Sequence, residues 1–231
     1  MYRRGFGFAT LAATLALVGC HPKPSLPDYR YRMTVEVETP QGLKSGSSVI
    51  EVSSSIASEN AFPTPGKLST QIHGQAVAVD LGGGRVLFAL LSKPGLEQGA
   101  ESYAFDALYA KPWTGADEYV RRVNEMVGRR DVGVLPATAY PTLVTFGNLR
   151  NAKSVAAVDP DHLDAAFGST VRLRRITVQM THDAIGTDMR KRLNWLGSQH
   201  GQLITASTTD PLEKRMLSTV TEGDFELGLV P

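Results

Sequence analysis

The chain has 231 residues, a net charge of +1 and a single cysteine. A charge this close to zero argues against nucleic acid as a partner, because nucleic-acid binding requires concentrated positive charge. One cysteine excludes an intramolecular disulfide, whereas the length is sufficient for one domain to bury a substantial hydrophobic core.

The first twenty residues have the organisation of an export signal. Two cations, Arg3 and Arg4, precede an apolar run over 8–18, and no acidic residue occurs before Asp28. At 1.5 Å per residue the run is too short to cross about 30 Å of hydrocarbon. A positive segment, a short apolar segment and small residues before a cleavage point are typical of a secretory signal peptide.

The run ends in Leu17–Cys20, read Leu-Val-Gly-Cys, which resembles the lipobox of bacterial lipoproteins. The resemblance implies that residues 1–19 are removed, that the Cys20 sulfur carries a diacylglyceryl group, and that the freed amine is acylated by a fatty acid such as palmitate. Two or more acyl chains anchor a protein stably in a membrane. His21 rather than an aspartate follows the cysteine, and the sorting pattern of Gram-negative lipoproteins then favours the outer membrane over the inner membrane. An ordinary signal peptide with an incidental cysteine is the alternative.

Residues 20–28 are predicted to form a lipidated N-terminus and a tether. Pro22, Pro24 and Pro27 make this segment semi-extended, so that it spans roughly 25 Å at about 3.1 Å per residue. Residues 29–231 are predicted to form a single domain that faces the periplasm or the exterior. Lipidation of Cys20 uses the only thiol, so neither cysteine catalysis nor a thiolate metal site is expected.

The first part of this domain has the pattern of β-hairpins. Residues 29–37 alternate between apolar and polar side chains, which is typical of a half-buried strand, and 47–55 is a plausible return strand. Pro40 and Gly42 favour a turn between them. Residues 71–80 and 85–91 are predicted to form a second hairpin, hinged on the three glycines that follow Leu81.

The later part mixes helices and strands. An apolar stripe predicts a helix over 117–127, stopped by Gly128. The further predicted elements are a strand over 141–146, a short helix opened by Asp159-Pro160 and closed by Gly168, a strand over 170–181, a helix over 187–196, and a turn at Asp210-Pro211 with a helical turn after it. The alternation in 170–181 breaks at Arg174-Arg175, where a β-bulge would fit. Hairpins followed by helices between strands indicate an α+β fold around an antiparallel sheet.

Two constellations have residue types that bind anions or metals. Gly82-Gly83-Gly84 could approach a phosphate, but the residues after it predict a strand rather than the helix that phosphate loops use, so a hairpin turn is favoured. Asp159, Asp161, His162 and Asp164 could bind a cation, but the central glycine and distant glutamate of a calcium loop are missing. Carboxylates at a helix start also stabilise the helix dipole, and this structural interpretation is favoured.

Two other constellations carry catalytic or basic residue types. His182-Asp183, with Asp188 nearby, could contribute to a Ser-His-Asp triad, but no motif nominates a serine, and His182 is interpreted as a turn residue after a strand. The histidines show no zinc-ligand spacing. A basic patch over Arg172, Arg174, Arg175 and 190–192 could meet anionic headgroups, but a solvated face with the cations paired to Asp183 and Asp188 is favoured.

The stretch 141–196 is similar to proteobacterial envelope proteins without an assigned activity, which implies a cellular setting and no mechanism. We therefore expect a lipoprotein, anchored to the membrane through Cys20, that serves as a binding or scaffolding module of the cell envelope with a protein partner. No catalytic residue, metal ligand or cofactor is nominated. The alternatives are a membrane-tethered hydrolase that uses neither metal nor cysteine, and a carrier of lipophilic cargo. A deep pocket joining His, Ser and Asp favours the hydrolase, whereas a flat apolar patch or an open sheet edge beside the tether favours the binding module. A carrier requires a sheet curved around an apolar cavity.

Overall fold

The computed structural model describes residues 26–58, 60, 62–94, 99–197 and 208–228. Its strands are β1 (Tyr29–Thr39), β2 (Gly42–Ile56), β3 (Leu68–Gln75), β4 (Val77–Gly82), β5 (Arg85–Ala89), β6 (Val132–Val134), β7 (Leu143–Phe146), β8 (Val155–Ala157), β9 (Arg172–Thr181) and β10 (Glu226–Leu227). Its α-helices are α1 (Ala100–Leu108), α2 (Gly115–Val127), α3 (Leu163–Phe167), α4 (Met189–Arg192) and α5 (Pro211–Leu217). The predicted α+β fold is confirmed.

The strands form two antiparallel sheets. The larger has the order β10-β3-β2-β1-β9-β6, and the smaller has the order β4-β5-β7-β8. The long β1–β2 hairpin lies at the centre of the larger sheet and closes through the predicted turn, with Thr39 opposite Gly42. Strand β1 shows the expected alternation, because Tyr31, Met33 and Val35 are buried on the inner face while the intervening polar residues lie on the outer face.

The two sheets pack closely where β2 meets β4. A Cβ atom added to Gly46 of β2 would lie 2.1 Å from the carbonyl oxygen of Ala78 in β4. Helix α1 packs on the inner face of the larger sheet against β9 and β6. The buried Tyr31 hydroxyl donates a hydrogen bond to the Ala100 carbonyl at the start of α1, over 2.6 Å. The main core therefore lies on the inner face of the larger sheet, where α1, α2 and the smaller sheet cover it.

A second cluster of buried residues lies on the other side of the smaller sheet. Its rings include Phe88 of β5, Phe146 of β7, Trp195 and Phe225, which contact one another edge-on or tilted with centroids 5.5 to 5.9 Å apart. The Phe225 carbonyl also accepts a hydrogen bond from the amide of Ala76, the residue between β3 of the larger sheet and β4 of the smaller sheet. The end of the described chain thus ties the two sheets together.

Several predicted boundaries need correction. Residues 71–80 are not one strand, because the chain leaves the larger sheet after Gln75 and enters the smaller sheet at Val77, with four consecutive buried residues over 74–77 that break the period of two. The hairpin turn at Gly82–Gly84 is confirmed between β4 and β5. The short helix predicted from Asp159 begins only at Leu163, and the helix predicted over 187–196 is the single turn α4.

The break predicted at Arg174-Arg175 is a β-bulge. Arg175 lies opposite Glu36 of β1, whereas Leu173 lies opposite Val37, so Arg174 is the extra residue in β9. The local sequence patterns predicted none of α1, β6, β8 and β10. Of these, β6 has the greatest consequence for function.

Candidate functional site

Strand β6 is the outer edge of the larger sheet and lacks a neighbour on its far side among the described strands. The Leu135 amide donates to the Ile176 carbonyl of β9, so the alternation of an antiparallel pair turns the N–H and C=O groups of Val132 and Val134 away from β9. Their side chains are 56% and 57% exposed. The edge therefore offers unpaired backbone groups beside two exposed β-branched side chains.

The position of β6 is fixed by its contact with α1. Gly133 is buried and packs on the end of α1, where an added Cβ would lie 2.4 Å from the Ala107 carbonyl oxygen and 2.9 Å from a Leu108 methyl group. Only a residue without a side chain allows this approach. The helix thus supports the inner face of the edge, and the valines point to the outer face.

The edge lies at the end of the sheet where the described chain begins. Arg30, the second residue of β1, pairs with Thr181 of β9, and Val132 pairs with Gln179, two residues away on the same strand. A cleft of about 320 Å³ opens between these strand ends. The predicted tether therefore joins the folded chain two strands away from β6.

An ion pair between two charged side chains lines this cleft. The Arg30 guanidinium donates to Glu51, and Glu51 also lies 3.4 Å from His73. Outside the cleft, the Arg32 guanidinium holds the pKa of Asp183 below its usual range. His182 lies directly after β9, as predicted, with its Nε2 3.4 Å from an Arg130 nitrogen. No serine lines the cleft among the described residues.

An aromatic groove of about 170 Å³ lies beyond the other end of β6. Its walls come from the end of α1 and the segment after it, with Phe105, Tyr109 and Trp113, and Pro136 closes it from the side of β6. The Trp113 ring is 36% exposed and lies edge-on to Tyr119, with centroids 5.1 Å apart.

The walls of this groove are held in place by contacts from behind. The Tyr109 hydroxyl donates to the Arg122 carbonyl, and the Arg122 guanidinium lies 4.8 Å from the Tyr109 ring centroid. The Arg129 guanidinium lies 5.3 Å from the same centroid. The Phe105 ring stacks on Tyr119 at 5.2 Å. The groove is therefore preformed rather than dependent on a ligand for its shape.

A polar cluster borders the groove. Ser102 lies 2.9 Å from the Asp106 carboxylate, and the Lys93 ammonium lies 2.7 Å from the same oxygen. Sequence reasoning missed this cluster because Lys93 comes from a separate segment and no catalytic motif joins the three residues. The Asp106 carboxylate thus joins the serine and the lysine at the groove rim.

The predicted cation cluster borders a third, open cleft of about 410 Å³ that also contains Arg172. The Asp159 carboxylate accepts a hydrogen bond from the Asp161 amide, which shapes the turn before α3. Within the described ranges, no three His, Cys, Asp or Glu side chains converge as a metal site requires.

The basic residues of β9 pair differently from the prediction. Arg174 and Arg175 both reach Glu36 on the neighbouring strand, with Arg175 at 2.9 Å, because the bulge places both side chains beside β1. Asp183 pairs instead with Arg32. Asp188 accepts from the Gln75 side chain over 2.6 Å.

Cys20, the predicted signal peptide 1–19 and residues 20–25 of the predicted tether lie outside the described residues. Within the described part, Leu26 is buried in the main core just before β1. None of the described helices is both long and apolar enough to cross a membrane. No protein-family model, curated protein or solved structure matches the chain.

Proposed function

We propose that this chain is an exported lipoprotein, anchored through Cys20 in the outer membrane, that binds a partner protein of the cell envelope. The observation that carries the proposal is the open edge of β6. An extended segment of a partner would pair with the backbone groups of Val132 and Val134 and so add a seventh strand to the larger sheet.

The chemistry of the edge supports a role in binding. Soluble proteins protect their sheet edges with very short strands, lysine, proline, bulges or a covering element. Strand β6 is short, but it reads Val-Gly-Val without a charged residue, and both valines are more than half exposed. An exposed apolar edge is costly in solution, because it invites unwanted pairing. Such an edge is explained if a specific partner covers it.

The place of the edge supports the same proposal. The described chain begins at the end of the sheet where β6 also begins. If Cys20 carries the lipid anchor, the tether holds this end of the fold near the membrane surface. A partner that is itself at the membrane then lies within reach of the edge.

The proposal is tested by photo-crosslinking in cells with the full chain. A photoreactive phenylalanine analogue placed at position 134 is expected to crosslink one partner, identified by mass spectrometry of the joined peptides. The matched control places the analogue at Leu43, which is 51% exposed at the opposite end of the same sheet. The same protein crosslinked from both positions, or none from position 134, would refute binding at β6.

A proline at position 134 sharpens the test. Val134→Pro removes an outward N–H that the partner requires, and it leaves the ladder to β9 intact because that N–H does not face β9. We expect this variant, with normal far-UV circular dichroism, to lose co-purification of the crosslinked partner. Retention of the partner at wild-type yield would contradict strand pairing.

The hydrolase alternative is favoured by one observation, the Ser102–Asp106–Lys93 cluster at the groove rim. It requires Ser102 to act as a nucleophile. A fluorophosphonate probe that labels the wild-type chain and not Ser102→Ala would support it over the binding module. On the proposed binding function, neither protein is labelled.

A further inference from the structure

The shortness of β6 raises the question of how a partner could bind there with useful affinity. The strand has three residues and turns the backbone groups of only two of them outward. Peptides that add a strand to a sheet obtain affinity from main-chain hydrogen bonds and specificity from side-chain pockets. An edge this short therefore needs a pocket next to it.

The aromatic groove is such a pocket, and it is continuous with the edge. Pro136, which closes the groove, lies two residues after Val134 on the same extended segment. The opposite wall of the groove is formed by the end of α1, the helix that contacts Gly133. A partner segment that pairs along β6 toward Pro136 would pass the mouth of the groove.

The size and lining of the groove define what it accepts. Its volume of about 170 Å³ is below the roughly 300–1,000 Å³ of sites for small molecules, so it fits one side chain. The exposed ring of Trp113 and the ring of Tyr109 offer faces and edges to another ring, and aromatic pairs are favoured beyond their buried area. The side chain that fits best is aromatic.

We infer that the partner is an extended polypeptide segment that pairs with β6 and inserts one aromatic side chain into the groove lined by Trp113, Tyr109 and Pro136. This inference rests on the proposed function. The register restricts the position of the aromatic residue. Partner side chains opposite Val132 and Val134 face the outer side of the sheet, whereas the groove lies on the side of α1. Because side chains alternate along a strand, the aromatic residue must lie an odd number of positions from the partner residues opposite Val132 and Val134.

The inference is tested with a displayed library of random 12-residue peptides, selected on the purified full-length lipoprotein in detergent micelles. We expect enriched peptides to share alternating apolar residues and one aromatic residue at an odd spacing from them. Trp113→Ala should weaken their binding at least fivefold, as should replacing the peptide's aromatic residue by alanine. The two changes together should weaken peptide binding no more than either change alone, as expected if the two side chains contact each other directly.

A second variant guards against misfolding. Trp113→Ala removes a ring contact with Tyr119, but Ala110 is exposed and lines the groove, so Ala110→Arg blocks the groove without removing core packing. This variant should weaken the same peptides by a similar factor. An unchanged thermal midpoint for Ala110→Arg shows that its effect is local.

The outcomes separate the inference from the proposed function. Peptides that lose binding with Val134→Pro but not with Trp113→Ala or Ala110→Arg would overturn the inference and leave binding at β6 intact. Peptides that depend on the groove but not on Val134→Pro would overturn the joint use of both surfaces. A library from which no peptide is enriched would count against both.

Discussion

The contact between the sheets at Gly46 predicts a large loss of stability for Gly46→Ala. The added Cβ would lie 2.1 Å from the Ala78 carbonyl oxygen and 2.8 Å from its carbon. Both atoms belong to the backbone of β4, so no side chain can rotate to relieve the overlap. The sheets would have to separate by about 1 Å, and a gap of about 0.5–1 Å already forfeits a quarter to a half of each dispersion contact.

The expected cost is about 3 kcal/mol, at the upper end of the range for an overpacked core. For a domain of this size, that lowers the thermal midpoint by roughly 6–12 °C and the urea midpoint by about 1 M. Urea unfolding followed by far-UV circular dichroism measures it. The matched control is Gly147→Ala, whose added Cβ would approach no atom closer than the Cβ of Ser154 at 3.8 Å. If both variants unfold at the same urea concentration, the close approach of the two sheets is refuted.

Three further predictions concern hydrogen bonding, pH and the anchor. Tyr31→Phe should lower the free energy of unfolding by about 1 kcal/mol, because the buried hydrogen bond from the Tyr31 hydroxyl to the Ala100 carbonyl is lost. Urea titration measures this loss, and an unchanged midpoint would contradict it. The Thr114 backbone amide and hydroxyl lower the pKa of Glu118 to about 2. The ionised Glu118 carboxylate therefore stabilises the fold fully above its unfolded pKa of about 4.3, and this stabilisation is lost as the pH falls toward 2. Glu118→Gln should therefore flatten the pH dependence of the thermal midpoint in that window, and an unaltered slope would refute the assignment. Cys20→Ser should abolish incorporation of labelled fatty acid and leave an unprocessed precursor, whereas unchanged labelling would exclude the lipobox.

The sequence predicted the parts of the fold that local patterns specify. The period of two in residues 29–37 and the turn at Gly42 predicted the central hairpin, and the broken alternation at Arg174 predicted the bulge. The crossing between sheets at Ala76 could not be predicted in this way. An apolar strand reads the same whether it continues in one sheet or passes into another.

The functional surfaces were harder to predict, because they depend on contacts between distant segments. Strand β6 has three residues, too few to show a period, and it is a strand only because β9 pairs with it. Helix α1 could have been found from its buried residues at 100, 104 and 108, which follow helical spacing. The groove joins the end of that helix to Pro136, and no local pattern indicates their meeting.

The proposed anchor and the edge of β6 together restrict where a partner can lie. Adjacent strands are about 4.8 Å apart and each residue adds about 3.4 Å along a strand, so Val132, two strands across and three residues along from Tyr29, is roughly 14 Å from the start of β1. Because Leu26 is already part of the core, residues 20–25 of the predicted tether would add roughly 19 Å, at about 3.1 Å per residue, between that point and the lipid. An anchored chain therefore presents the edge within a few tens of ångströms of the membrane surface. A partner fixed in the same membrane meets the edge at a high effective concentration. This effective concentration adds to the affinity that the edge and the adjoining groove are proposed to supply, so a partner in the same membrane should bind more tightly than the same segment free in solution.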